Sequence, residues 1–95
     1  MGQTHTISKH ATTVATLDGY TLVIYHQTVV VKASDDTVTL DSGGWHTVTT
    51  KTRMNQASNE LGLGYRVFQK SYDWYVQLRN GATIPFEDGM TFNRR

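Results

Sequence analysis

The 95-residue chain has no cysteine, a single proline, and no apolar run approaching the roughly 20 residues that a membrane-spanning helix needs. Without thiols there is no disulfide framework, no thiolate nucleophile and none of the common cysteine-based zinc sites, a composition that suits a reducing compartment. The N-terminus, Met1-Gly2-Gln3-Thr4-His5-Thr6, lacks the charged-then-apolar pattern of a secretory signal. Gly2 with Thr6 matches the myristoylation pattern only formally, and no membrane partner is expected. Charge of one sign is also lacking. The net charge is +1, so there is no global electrostatic argument for nucleic acid. The halves differ, however. Residues 1–45 carry Lys9 and Lys32 against Asp18, Asp35, Asp36 and Asp41, whereas residues 46–95 carry seven cations against Glu60, Asp73, Glu87 and Asp88, giving a modest basic face.

Catalytic and metal-binding patterns are missing as well. His5, His10, His26 and His46 show no paired ligand spacing, so no metal site is expected. There is no nucleophile elbow and no Ser-x-x-Lys, and carboxylates occur only as scattered turn residues. The adjacent Asp35-Asp36 reads as turn chemistry. We therefore expect no catalytic residue, no cofactor and a non-enzymatic protein.

What is present is concentrated in Gly43-Gly44-Trp45-His46-Thr47-Val48-Thr49-Thr50-Lys51-Thr52-Arg53-Met54-Asn55, which holds four threonines and two cations with no carboxylate. This reads as a loop ending in a helix over about residues 50–61, with Thr49 or Thr50 as N-cap and Gly62 as a left-handed C-terminal cap followed by Leu63. Met54, Ala57 and Leu61 form an apolar stripe, and Lys51, Asn55 and Ser58 a separate polar one. A helix start offers unpaired N–H groups and partial positive charge, so Trp45, Thr47, Thr49, Thr50, Lys51, Arg53 and Asn55 are the candidate residues for a phosphate or carboxylate. Neither the Walker A loop nor the dinucleotide fingerprint is matched by Gly43-Gly44. A capped helix with solvated cations would carry the same residue types.

Around this segment the chain reads as strands. Residues 1–10 are a flexible terminus or a short edge strand near Thr6 to Lys9, and 11–95 form one domain. Strands are expected at Ala11–Thr16, Tyr20–His26, Thr28–Ala33 and Thr37–Leu40, the middle two apolar enough to be central strands or to be buried on both faces. After the helix come Tyr65–Lys70, Trp74–Arg79, Thr83–Phe86 and Met90–Phe92, with Asn80-Gly81 suited to a type I′ turn and Pro85 to an edge or bulge. Asn93-Arg94-Arg95 closes the chain with exposed cations. The order strands, helix, strands predicts an α+β fold: an antiparallel sheet or partly closed small barrel with one central helix. A homo-oligomer is expected, because Tyr20–His26 has more apolar surface than one small sheet and one helix can cover.

The Gly43–Gln56 segment, together with Val67-Phe68-Gln69-Lys70, Trp74-Tyr75-Val76 and Ile84-Pro85-Phe86-Glu87-Asp88-Gly89, resembles a group of small proteins encoded by tailed bacteriophages. The resemblance covers about residues 26–95 and is most specific in its Gly-Trp-x-Thr-x-Thr-Thr-Lys-x-Arg-Met-Asn core. It brings no established activity with it. It implies a phage product in the bacterial host cytoplasm, of the kind that serves host takeover or counter-defence by binding. A phosphate-bearing small molecule such as a nucleotide signal, held between Trp45 and Asn55, is the first expectation. Nucleic acid bound through the basic C-terminal half, where Arg66, Phe68, Lys70, Trp74 and Tyr75 interleave aromatics with cations, is the second. Direct inhibition of a host protein through a sheet edge or aromatic patch is the third.

Overall fold

A computed structural model describes residues 12–44 and 46–94. The expected edge strand near Thr6 to Lys9, Trp45 and Arg95 lie outside the described residues. Strands β1 (Thr12–Leu17), β2 (Tyr20–Tyr25), β3 (Thr28–Ala33) and β4 (Thr37–Leu40) form the expected meander. Helix α1 (Val48–Leu61) follows, then β5 (Arg66–Lys70), β6 (Asp73–Gln77), β7 (Thr83–Pro85) and β8 (Met90–Asn93). The strands make two antiparallel sheets, β1-β2-β3-β4-β8 and β5-β6-β7. The architecture is broadly α+β, and the barrel alternative is corrected: the sheets do not close. The last strand leaves the second sheet and pairs with β4 in the first, Leu40 opposite Met90 and Val38 opposite Phe92.

The turns explain the tight hairpins. Asp18-Gly19, His26-Gln27 and Ser71-Tyr72 each carry positive φ at both central residues, the geometry whose twist matches antiparallel strands. Asn80-Gly81 behaves differently. Gly81 alone has positive φ, its N–H donates to Leu78 O at 2.9 Å, and Leu78 N–H donates to Ala82 O at 2.7 Å. The loop is therefore three residues long, a simple turn followed by a left-handed glycine, instead of the expected type I′ turn.

The middle strands are central in the first sheet, as expected, but they are not buried on both faces. A bulge after Val23 shifts the register so that Val23 faces Val31 while Ile24 faces Val29. The extra residue on β3 lets both Val30 and Val31 turn inward, fully buried. Leu22 and Ile24 stay half-buried on the outer face, and Val29 is exposed. One core results, in which Val23, Val31, Val38 and Leu40 of the first sheet meet Met54 and Ala57 of α1 and Val67, Trp74 and Val76 of the second. The apolar helix stripe is as expected at Met54 and Ala57, while Leu61 is only half-buried.

The helix closes as the sequence indicates. Gly62 is left-handed, Leu63 N–H donates to Ser58 O at 3.0 Å, and Leu63 is buried. It begins earlier than expected, with Thr47 as N-cap in place of Thr49 or Thr50. Its polar stripe docks on β5, which is an edge strand. Ser58 Oγ donates to Tyr65 O at 2.6 Å and accepts from Tyr65 N–H at 3.1 Å. Asn55 Nδ2 donates to Val67 O and Asn55 Oδ1 accepts from Val67 N–H, both at 2.8 Å. Two side chains one helical turn apart thus satisfy the backbone groups of two alternate strand residues, covering an edge that would otherwise be open to pairing. Tyr65 completes the joint by donating its hydroxyl to Met54 O at 2.6 Å, and burial holds that hydroxyl protonated by pushing its pKa upward.

Candidate functional site

The loop leading into α1 is fixed from below. Ser42 is fully buried, and its N–H and hydroxyl both donate to Asp88 Oδ1, at 2.8 and 2.7 Å. Gly43 N–H donates to Asp41 Oδ1 at 2.7 Å and Gly44 N–H to Ser42 Oγ at 3.2 Å. Gly43 has φ +63°, and a Cβ there would stand 2.6 Å from Thr28 Oγ1, so the tight approach to β3 requires glycine. Burial raises the Asp88 pKa, but the hydrogen bonds from Ser42, with the nearby His46 and the Gly44 amide, outweigh it and hold the carboxyl below its ordinary value. His46 Nε2 lies 3.9 Å from Asp88 Oδ2, an ion pair only when the imidazole is protonated. Its ring stacks on Trp74 at 4.7 Å and meets the edge of Phe86 at 5.8 Å.

At the helix start, Thr47 Oγ1 accepts from Thr50 N–H at 3.2 Å and contacts Thr50 Oγ1 at 3.1 Å. Thr50 is fully buried. There is no acidic residue in the first turn, so the positive end of the helix is not neutralised from within. Thr47 and Thr49 face Tyr25 and His26 across a cleft of about 420 Å³. Arg53 follows Thr49 by one turn on the same stripe. Only 9% exposed, it donates from Nη1 to Gln56 Oε1 at 3.1 Å, and its Cζ stands 5.8 Å from the Tyr25 ring, the opposite wall of that cleft. Its Nε is buried without a hydrogen-bond partner, and no carboxylate among the described residues forms an ion pair with it.

The sequence candidates therefore separate into three groups. Thr47 and Thr49 line the cleft at the β2–β3 turn and Arg53 lies beside its Tyr25 wall, with Thr50 a buried cap partner. Lys51 leans the other way, Nζ 3.4 Å from Gln69 Oε1 and 5.7 Å from the Trp74 ring. Asn55 has both amide atoms engaged with Val67. Trp74 is core, while Phe68 and Tyr75 lie on the outer face of the second sheet. Tyr25 and His26 were not among the candidates; the stripe Thr49, Arg53, Gln56 is visible as i, i+4, i+7 spacing, but nothing local points to the hairpin tip opposite it. Arg94 is half-buried, its guanidinium donating to Ser34 O and its N–H to Asp36 O, so it is not the exposed cation expected.

Among the described residues, no three His, Asp or Glu side chains gather as a metal site, and no helix is long and apolar enough to cross a membrane. The family model described as Kyanoviridae Gp96 protein matches residues 1–93. The chain belongs to this phage protein family. Comparison with curated proteins and with solved structures gives no match. The match extends the phage resemblance from about residue 26 to nearly the whole chain, including β1 and β2, the latter ending at the Tyr25 wall of the cleft.

Proposed function

We propose that this Kyanoviridae Gp96 protein is a non-enzymatic binding protein that holds a phosphate-bearing small molecule, such as a nucleotide signal, at the start of α1. In this reading it works in the host cytoplasm as a host-takeover or counter-defence factor that removes its ligand by binding. One observation carries the reading: Arg53 is a buried guanidinium with an unpartnered Nε and, among the described residues, no carboxylate paired to it. A buried charge without a counter-charge is costly, and a bound anion supplies what the described residues do not. Thr47 and Thr49 add hydroxyls, and the helix start adds partial positive charge, on the cleft whose Tyr25 wall Arg53 approaches. Guanidinium and phosphate also match in bidentate geometry, which favours phosphate over a spherical anion.

Thermal melts with added inorganic pyrophosphate, and with an adenosine nucleotide, test this. Wild type should be stabilised as ligand rises toward about 1 mM, by mass action. Arg53→Met, which keeps much of the side-chain volume, should fold with equal or greater stability in the absence of ligand and lose the response. Loss of one charged hydrogen-bonding group corresponds to about 1.5–3 kcal/mol of binding. Arg53→Lys should recover part of it. A wild type indifferent to both ligands, or an Arg53→Met protein that responds equally, would refute the reading.

A further inference from the structure

The outer face of the β5–β6–β7 sheet presents an arrangement independent of the helix cleft. In the register of β5 and β6, Phe68 faces Tyr75, and Tyr75 faces Pro85 of β7, so one row across three strands is aromatic or apolar. The Phe68 and Tyr75 rings are nearly parallel, with centroids 5.7 Å apart and an interplanar angle of 27°. Both are half-buried, and the neighbouring hollow of about 450 Å³ is lined by Phe68, Lys70, Ser71, Tyr75 and Thr83. Of the described elements outside this sheet, only α1 contacts it appreciably, and it does so at the β5 edge, not on this face.

Polar groups border the row on both sides. Arg66, Gln77 and Thr83 form the next row, and Lys70 faces Asp73 on the other side. Arg66 Cζ lies 5.1 Å from the Phe68 ring centroid, holding its cation against the aromatic row. The other C-terminal cations are engaged elsewhere. Arg79 donates to Gly62 O and Arg94 O, and Arg94 to Ser34 O. Among the described residues, positive charge on this face is therefore Arg66 and Lys70, offset by Asp73.

We infer that this face binds single-stranded nucleic acid, its bases stacking on Phe68 and Tyr75 and its backbone running past Arg66 and Lys70. Stacking requires exposed base faces, which a single strand offers and a duplex hides; an acidic protein surface would answer the cations but has no use for a parallel aromatic pair. Gln77 and Thr83 lie where an amide and a hydroxyl meet base edges. With only two cations, affinity rests more on stacking than on charge, so the salt dependence is shallow, each phosphate contact contributing about 0.7 to the log–log slope for a single strand.

The test is fluorescence anisotropy with labelled oligothymidylate and oligouridylate of about 12 nucleotides, within the usual site size of a small domain. Wild type should bind, and Phe68→Ala and Tyr75→Ala should each weaken binding about tenfold or more while keeping the circular dichroism spectrum and melting cooperativity. Arg66→Ala should weaken binding and lower the salt slope by about 0.7. Arg53→Met should bind like wild type, which separates this face from the helix cleft. A duplex of equal length should compete poorly. Absence of binding by wild type, folded aromatic variants that bind normally, equal competition by duplex, or loss of binding only in Arg53→Met would each overturn the inference.

Discussion

Asn55→Ala is the substitution that most directly probes how α1 is held. The amide makes two hydrogen bonds to Val67, donating to its carbonyl and accepting from its N–H at 2.8 Å each. Truncation removes both and leaves the two backbone groups on the β5 edge without partners. Each stranded group costs about 1–3 kcal/mol when buried; Val67 is buried but Asn55 is only half-buried, so truncating it lets water reach the two groups and the low half of that range applies. The sum is about 2–4 kcal/mol, a large fraction of the roughly 5–15 kcal/mol by which small domains are stable. At about 4–8 °C per kcal/mol for a domain of this size, the melting temperature should fall by about 8–32 °C. Asn59→Ala, exposed on the same helix, should change stability by less than about 0.5 kcal/mol. Asn55→Asp should be at least as damaging as Asn55→Ala at neutral pH, because a carboxylate can accept from Val67 N–H but turns its second oxygen on Val67 O. Calorimetry of the four proteins decides the matter. An Asn55→Ala melt within about 2 °C of wild type would mean that the edge contacts are not formed in solution.

Three further outcomes are expected. Gly64 has φ +81°, and an added Cβ would lie 2.6 Å from the Arg79 guanidinium, so Gly64→Ala should cost about 1–3 kcal/mol; denaturant titration showing less than additive loss on combining it with Arg79→Ala would locate the cost in that clash. Because the folded Asp88 carboxyl titrates below its ordinary value, its contribution is present at neutral pH and is lost as pH falls below about 4, so acid-scanned melts should fall more steeply for wild type than for Asp88→Asn; equal slopes would contradict the Ser42–Asp88 account. The outer face of β1–β3 groups Leu17 (60% exposed), Tyr20, Leu22 and Val29 between Asp18 and Lys32, an apolar patch flanked by charges of both signs, so sedimentation should show a homodimer that Leu17→Lys disrupts, and a monomer at high micromolar concentration would exclude it.

Most strands were legible because their signals are local. Alternation and β-branched residues mark Thr28–Ala33 and Thr37–Leu40 to the residue, and Gly62 marks the helix end. The misses share a physical cause, which is dependence on partners distant in sequence. Nothing in Met90–Asn93 says that it returns to β4 instead of extending the second sheet. The bulge that turns Val30 and Val31 inward exists only against β2. The helix starts early because Thr47 caps it, although Val48, Thr49 and Thr50 are weak helix formers and Val48 remains exposed. His26-Gln27 and Ser71-Tyr72 make left-handed turns without a glycine to announce them. At the site, the polar residues of the helix were visible, but which of them face a strand edge, a core or a cleft is decided by where β2 and β5 lie.

That division bears on how binding data on this protein must be read. Viewed down α1, the core stripe Thr50, Met54, Ala57 is flanked on one side by Lys51, Asn55 and Ser58 against β5 and on the other by Thr49, Arg53 and Gln56 beside β2. The first flank is consumed: Asn55 and Ser58 satisfy four backbone groups of Tyr65 and Val67, and Lys51 reaches Gln69. The second flank holds the only buried charged side chain among the described residues, Arg53, and it has an unpartnered Nε. Loss of ligand binding in Asn55→Ala therefore reports unfolding and should be recovered by lowering the temperature until the variant is folded. Loss in Arg53→Met should persist at every temperature at which that variant is folded. Measuring both variants below their own melting transitions thus separates the residue that positions the helix from the residue proposed to meet an anion, and equal recovery of the two would place Arg53 with Asn55 among the structural residues.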